Sequence, residues 1–153
     1  MTSLAANSVH LASALDSIRL GLHVLGASIW VGGQFTLAAL VPVLRKQNPE
    51  LPKVIARAFN KIGWTAFALL LITGSWNMFE IPKTGVPSNY HAVLGAKMTV
   101  VLLSGVAAYV HTRSNSRKSI AIWGSLSGLF ALSAMYLGAV SYTHLTLPTN
   151  REV

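Results

Sequence analysis

Ser17-Ile-Arg19-Leu-Gly-Leu-His23-Val-Leu-Gly26-Ala27-Ser-Ile-Trp30-Val-Gly32-Gly33-Gln34-Phe35, continued by an apolar run to Leu44, decides the fold. No charged residue lies between Arg19 and Arg45. At ~1.5 Å of rise per residue, an unbroken helix over that interval crosses a ~30 Å hydrocarbon layer with length left for tilt. One ionisable group, His23, sits inside it, about one turn from Arg19. On a regular helix His23, Ala27, Trp30 and Gln34 fall on one face and make a polar-aromatic stripe. Gly26 and Gly33 beside that stripe, together with Gly32, are read as positions of close helix approach. A polar stripe wrapped in apolar residues needs other helices to cover it.

Composition agrees. Of 153 residues 52% are hydrophobic and 10% are charged. Soluble domains carry roughly 25% charged residues, so the chain belongs in a lipid bilayer. Its net charge of +8 comes from twelve Lys and Arg against four acidic residues. The cations sit in loops between apolar segments, so the charge sets topology and nucleic acid is excluded as a partner. There is no cysteine, which removes disulfides, thiolate metal sites and Cys nucleophiles.

Taken in order, the chain predicts an all-α transmembrane four-helix bundle. Residues 1–16 read as a short exposed lead-in, without a basic n-region or a cleavage site, so the first helix is expected to be a retained anchor. Residues 17–141 form the four-helix domain, with helices expected over 17–44, 62–79, 91–112 and 119–141. A polar, proline-broken loop comes after the first helix, and Val54–Lys61 reads as a basic amphipathic turn leading to the second. Trp64 and Trp76 bracket the second helix in the manner of interfacial tryptophans. Residues 80–90, with Pro82, Gly85 and Pro87, read as a turn-rich connector. Gly124-Ser-Leu-Ser-Gly128 in the fourth helix is a small-xxx-small packing motif. Residues 142–153 break abruptly from the apolar pattern and resemble translated sequencing adaptor. They are read as a non-native tail, with the natural C-terminus missing, and His144 and Arg151 receive no functional weight. Arg45, Lys46, Lys53, Arg57, Lys61, Arg113, Arg117 and Lys118 fall on one side, while Arg19, Lys83 and Arg151 fall on the other. The positive-inside rule then predicts an N-out, C-out protein of the bacterial inner membrane.

Depth selects the candidate chemistry. His23 lies ~6 Å below Arg19 and Lys97 lies ~9 Å below His91, both from the outer side. Thr73, Asn77 and Met78 on the second helix and Met135 and Tyr136 on the fourth reach the same level. An intramembrane Lys costs ~3 kcal/mol at a helix centre, so it persists where it meets a partner or a wet cavity. His23 offers an imidazole nitrogen to a metal, a haem iron or a proton. Lys97 is a candidate for holding an anionic group or cofactor, and His91 and Met78 are candidate metal ligands. Each has a plainer reading. Lys97 is near enough to the interface to snorkel, and His23 is a buried histidine bonded to Asn77 or Tyr136. Met78, Met98 and Met135 are core filler, and Trp30, Trp64, Gly32, Gly33 and Asn77 are packing groups. No hydrolase triad, phosphate loop or intramembrane carboxylate pair is present, so carboxylate acid-base catalysis within the bundle is excluded.

The ordered pattern His23-x6-Trp30-x-Gly32-Gly33, then Arg57-Ala-Phe-Asn-Lys-Ile-Gly-Trp64 leading to Thr73-Gly74-x-Trp76-Asn77, with Lys97 in the third helix, resembles the copper-resistance D (CopD) family. The likeness covers about residues 18–140. It implies a copper-handling inner-membrane protein rather than an enzyme, with His23 as the carried-over ligand and a periplasmic copper-binding protein as partner. A homo-oligomer is a further expectation. The chain departs from that family's chemistry in lacking Cys and any Met-rich or His-rich cluster. The first-helix His and third-helix Lys also resemble the HemJ-type protoporphyrinogen oxidases, which implies haem b and an oxidoreductase. That family's Leu-Pro-Arg motif is replaced here by Val41-Pro42-Val43-Leu44-Arg45. A non-catalytic membrane subunit is a third reading.

Overall fold

The computed structural model describes residues 14–79 and 90–146, with side chains through Val140. Residues 1–13 of the lead-in, the connector at 80–89 and the tail from 147 lie outside the described residues. Four helices succeed one another: α1 (Ala14–Gln47), α2 (Leu51–Phe79), α3 (Tyr90–Arg113) and α4 (Arg117–Thr146). All four are long and apolar enough to cross a membrane, and no strand occurs among the described residues. Large apolar side chains cover the outside, among them Phe79 at 87% exposure and Ile72 at 65%. Water would penalise that surface by ~25 cal/mol for each Å² of apolar area. Lipid is its natural solvent, and the chain is a multi-pass membrane protein.

Local chemistry explains the helix ends. Asp16 lies in the first turn of α1 and pairs with Arg19 at 3.0 Å, so the helix already includes Ala14, inside the expected lead-in. Arg45 and Lys46 lie in its last turn, where cations suit the helix dipole. Asn48 is extended, and its Oδ1 accepts the Glu50 N–H at 2.9 Å to turn the chain. Pro52 then occupies the opening turn of α2, where its missing N–H is harmless. The Val54–Lys61 stretch is therefore the first part of one 29-residue helix and no separate turn. Trp64 consequently sits ~20 Å into α2, where its ring packs against Trp30 and Phe67. Ser116 caps α4 by accepting the Ser119 N–H at 3.1 Å.

The helices form two hairpins, α1 on α2 and α3 on α4. One end of the bundle, the terminal end, carries the start of α1 and the end of α4; the other, the basic end, carries the two short polar loops. Small residues make up much of the interior: Ala66, Ala107, Ala131 and Ala134 are buried. Between them sits a ring cluster, Trp30 to Phe67 at 4.6 Å, Trp30 to Trp64 at 5.8 Å and Trp64 to Phe67 at 5.6 Å. The Phe67 ring fits because Gly105 faces it, where a Cβ would stand 2.6 Å from Cζ. Gly33 makes the same kind of room for the Phe59 ring. Gly32 does not, because it is exposed with open space where a Cβ would project. Adjacent helical residues point about 100° apart, so only one of the glycine pair can face α2.

Ser28–Gly32 is a π-helical turn within α1. Such a turn, bonded i→i+5, holds about one residue more than an α turn and rotates the residues beyond it by about 100°. His23 and Gln34 therefore do not share the single stripe that a regular helix predicts. His23 bonds to α2 and Gln34 to α4.

Candidate functional site

His23 is half-buried near the terminal end, with its Nδ1 2.8 Å from Thr73 Oγ1. The Thr73 hydroxyl, 2% exposed, donates its hydrogen back to Leu69 O at 2.7 Å. A hydroxyl has one hydrogen to give, so toward His23 it is an acceptor. Nδ1 must then carry the imidazole hydrogen and donate it. In the neutral ring this leaves the lone pair on Nε2, free to bind a Lewis acid or a proton. Donation from one ring nitrogen to a fixed oxygen is the usual support behind a metal-binding histidine. Gly74 gives the ring its place, since a Cβ there would lie 3.4 Å from His23 Cε1. The partner of His23 is thus Thr73, one turn before Asn77. Tyr136, the other expected partner, is 69% exposed.

Two cations lie on the same half of the bundle as His23. Arg19, one turn closer to the terminal end, is nearly buried at 11% side-chain exposure, is paired with Asp16, and lies 5.9 Å from the centre of the Trp76 ring. Lys97 on α3 packs against Gly138, where a Cβ would be 3.2 Å from Nζ. Asn77 Oδ1 is buried without a hydrogen-bond partner among the described residues. Its helical spacing from Thr73 places it on the same side of α2.

The other two candidate ligands lie elsewhere. Met78 is 40% exposed, and its five-residue offset from Thr73 turns it about 140° away. His91 is exposed and stands edge-on to Tyr90 at 6.0 Å. Its six-residue offset from Lys97 likewise turns it about 120° off the Lys97 face. Met135, 53% exposed, also faces outward. No group of three or more His, Cys, Asp or Glu able to hold a metal occurs among the described residues.

Below this level the bundle is fastened by a buried polar knot. Trp30 Nε1 donates to Ser104 Oγ at 3.1 Å, and Ser104 Oγ donates to Ser127 O at 2.9 Å. Ser127 Oγ lies 3.1 Å from Ser104 O and 3.0 Å from Gln34 Oε1. One hydroxyl hydrogen serves one of those oxygens at a time. Turning the Gln34 amide over would bring its buried, unpartnered Nε2 to Ser127 as a donor and satisfy both groups. Neither serine stands out in a sequence reading. The signal that could have found Ser104 is spacing: Lys97, Ser104 and His111 recur every seven residues along one face of α3. His111 anchors the basic end through Nδ1 and Ile120 O at 2.8 Å.

No protein-family model matches the chain, and no solved structure does. The chain is 30% identical over 137 residues to an uncharacterized protein of Aquifex aeolicus (strain VF5), covering 81% of this chain and 93% of that one. The chain belongs to that protein's family. It is also 31% identical over 139 residues to the copper transport protein CutJ of Bacillus subtilis (strain 168), covering 83% of this chain. It spans only 25% of the length of CutJ.

Proposed function

We propose that this protein handles copper in the bacterial cytoplasmic membrane, as a CopD-like module for uptake or tolerance, with copper as cargo held at His23. The orientation is N-out and C-out, so the His23 level lies in the outer half. The observation that carries the reading is the hydrogen bond from His23 Nδ1 to Thr73, which leaves Nε2 as a ready nitrogen donor for copper. The likeness to CutJ supports the choice of metal. One imidazole supplies one ligand, so the rest of the coordination sphere comes with the cargo from a periplasmic copper-binding partner. His91 and Met78, exposed toward the terminal end, serve as outer contacts during that handover. On this reading the chain acts as a transport or binding protein.

The competing haem-binding oxidoreductase would use the same Nε2. The test is metal and haem analysis of protein purified without added metal. Copper at one equivalent per chain, lost in His23→Ala protein that still inserts, is expected. A Soret band, or copper retained by the variant, overturns the reading. A reporter fused at residue 48 should be cytoplasmic, and a periplasmic signal there refutes the orientation.

A further inference from the structure

The copper reading leaves Lys97 unexplained, and a fixed cation is a poor neighbour for a bare metal ion. Its position relative to His23 can be worked out from the knot. Spans α1 and α3 run in the same direction through a four-helix up-and-down chain. The Trp30–Ser104 hydrogen bond locks their register. His23 precedes Trp30 by seven residues, and Lys97 precedes Ser104 by seven. Both therefore stand ~10 Å above the same bond, toward the terminal end. They lie at one level, on spans held together by that bond.

Both groups are also uncommitted. Lys97 has no hydrogen-bond or ion-pair partner among the described residues. The carboxylate described on this half, Asp16, is taken by Arg19. Gly138 leaves the Lys97 ammonium its room, since a side chain there would press on Nζ. An ammonium presents three donors and no acceptor, and an imidazole Nε2 presents one acceptor and no donor. A ligand that satisfies both must be electron-poor at one point and anionic at another.

We infer that the cargo is a copper ion carrying an anionic ligand, such as halide or carboxylate, with the metal on His23 Nε2 and the anion on the Lys97 ammonium. This rests on the copper reading above and extends it from the metal to its complex. The anion neutralises the pair of like charges and brings a second ligand, so neither Met78 nor His91 is needed in the bound state. Lys97 is then a specificity residue that selects how copper is presented.

The probe is copper(I), titrated into detergent-purified protein in two media of equal ionic strength. In chloride the metal carries halide, and in perchlorate with acetonitrile it does not. In chloride the wild type should bind copper about tenfold or more tightly than Lys97→Met, the strength of one hydrogen bond to a charged group. Lys97→Arg should keep most of that advantage, and Gly138→Ala should erode it. In perchlorate, where no anion screens the ammonium from the metal, Lys97→Met should bind copper at least as tightly as the wild type. X-ray absorption of the chloride sample should show a chloride scatterer on copper that Lys97→Met loses. Equal affinities in both media with no chloride scatterer overturn the inference and leave His23 as a copper ligand. Absence of copper binding in both media refutes the copper reading itself and this inference with it.

Discussion

Thr73→Val isolates the step on which the site depends. Valine matches threonine in shape and keeps the branched Cβ, so the packing of a residue only 2% exposed is nearly conserved. What disappears is the oxygen 2.8 Å from His23 Nδ1. The Leu69 carbonyl, which also received the hydroxyl at 2.7 Å, keeps its place in the helix. The cost therefore falls on His23, whose N–H loses its acceptor and whose ring is no longer held in one tautomer. Removing the partner behind a metal-binding histidine typically costs 10–100-fold in affinity, about 1.4–2.7 kcal/mol. Copper titration of Thr73→Val should show a loss in that range, with helicity unchanged. Thr73→Ser, which retains the oxygen, should bind within about threefold of wild type, or ~0.6 kcal/mol. Equal affinity in the Val and Ser proteins would mean that Thr73 is mere filler and that the hydrogen on Nδ1 has no bearing on binding.

The remaining expectations concern the scaffold. Ser104→Ala strands the Trp30 N–H in a site where the indole is 5% exposed and should cost about 1–2 kcal/mol. Trp30→Phe should recover part of that loss in a double-mutant cycle of unfolding in mixed micelles, and strict additivity would count against the bond. Gly105→Ala places a methyl 2.6 Å from the Phe67 ring and should destabilise by about 1–3 kcal/mol through overpacking. Gly32→Ala meets open space and should be neutral or stabilising, by up to about 1 kcal/mol of helix propensity. Thermal unfolding of the two proteins should rank them in that order, and the reverse ranking would refute the packing described.

Much of the fold is legible because bilayer thickness is a coarse ruler. Charge-free stretches announce spans whatever their packing, so four helices can be read from the sequence alone. Boundaries are less legible, because Pro52 reads equally as a loop residue and as the opening turn of a helix. At the site, His23 and Lys97 are conspicuous since ionisable groups are costly in lipid. Thr73 is visible only as one of several polar residues at the right depth. Choosing it over Asn77 requires the rotation of α2 against α1, which periodicity does not supply. Gln34 misleads for a related reason, because its expected face assumes a regular helix and nothing in Ser28–Gly32 declares a wider turn. Ser104 and Ser127 are hidden by their size: short hydroxyls are common on membrane helices, and only contact with Trp30 and Gln34 makes these two matter.

The two hairpins share side-chain hydrogen bonds near mid-depth, through Trp30 with Ser104 and Gln34 with Ser127. A bundle riveted at its waist has a fulcrum. If one hairpin tilts against the other by about six degrees, groups ~10 Å from the rivet shift by about 1 Å while the rivet itself hardly moves. His23 and Lys97 stand at that distance on the same side of the rivet, one on each hairpin. A tilt of that kind changes the spacing between them while the hydrogen bonds at the waist stay nearly in place.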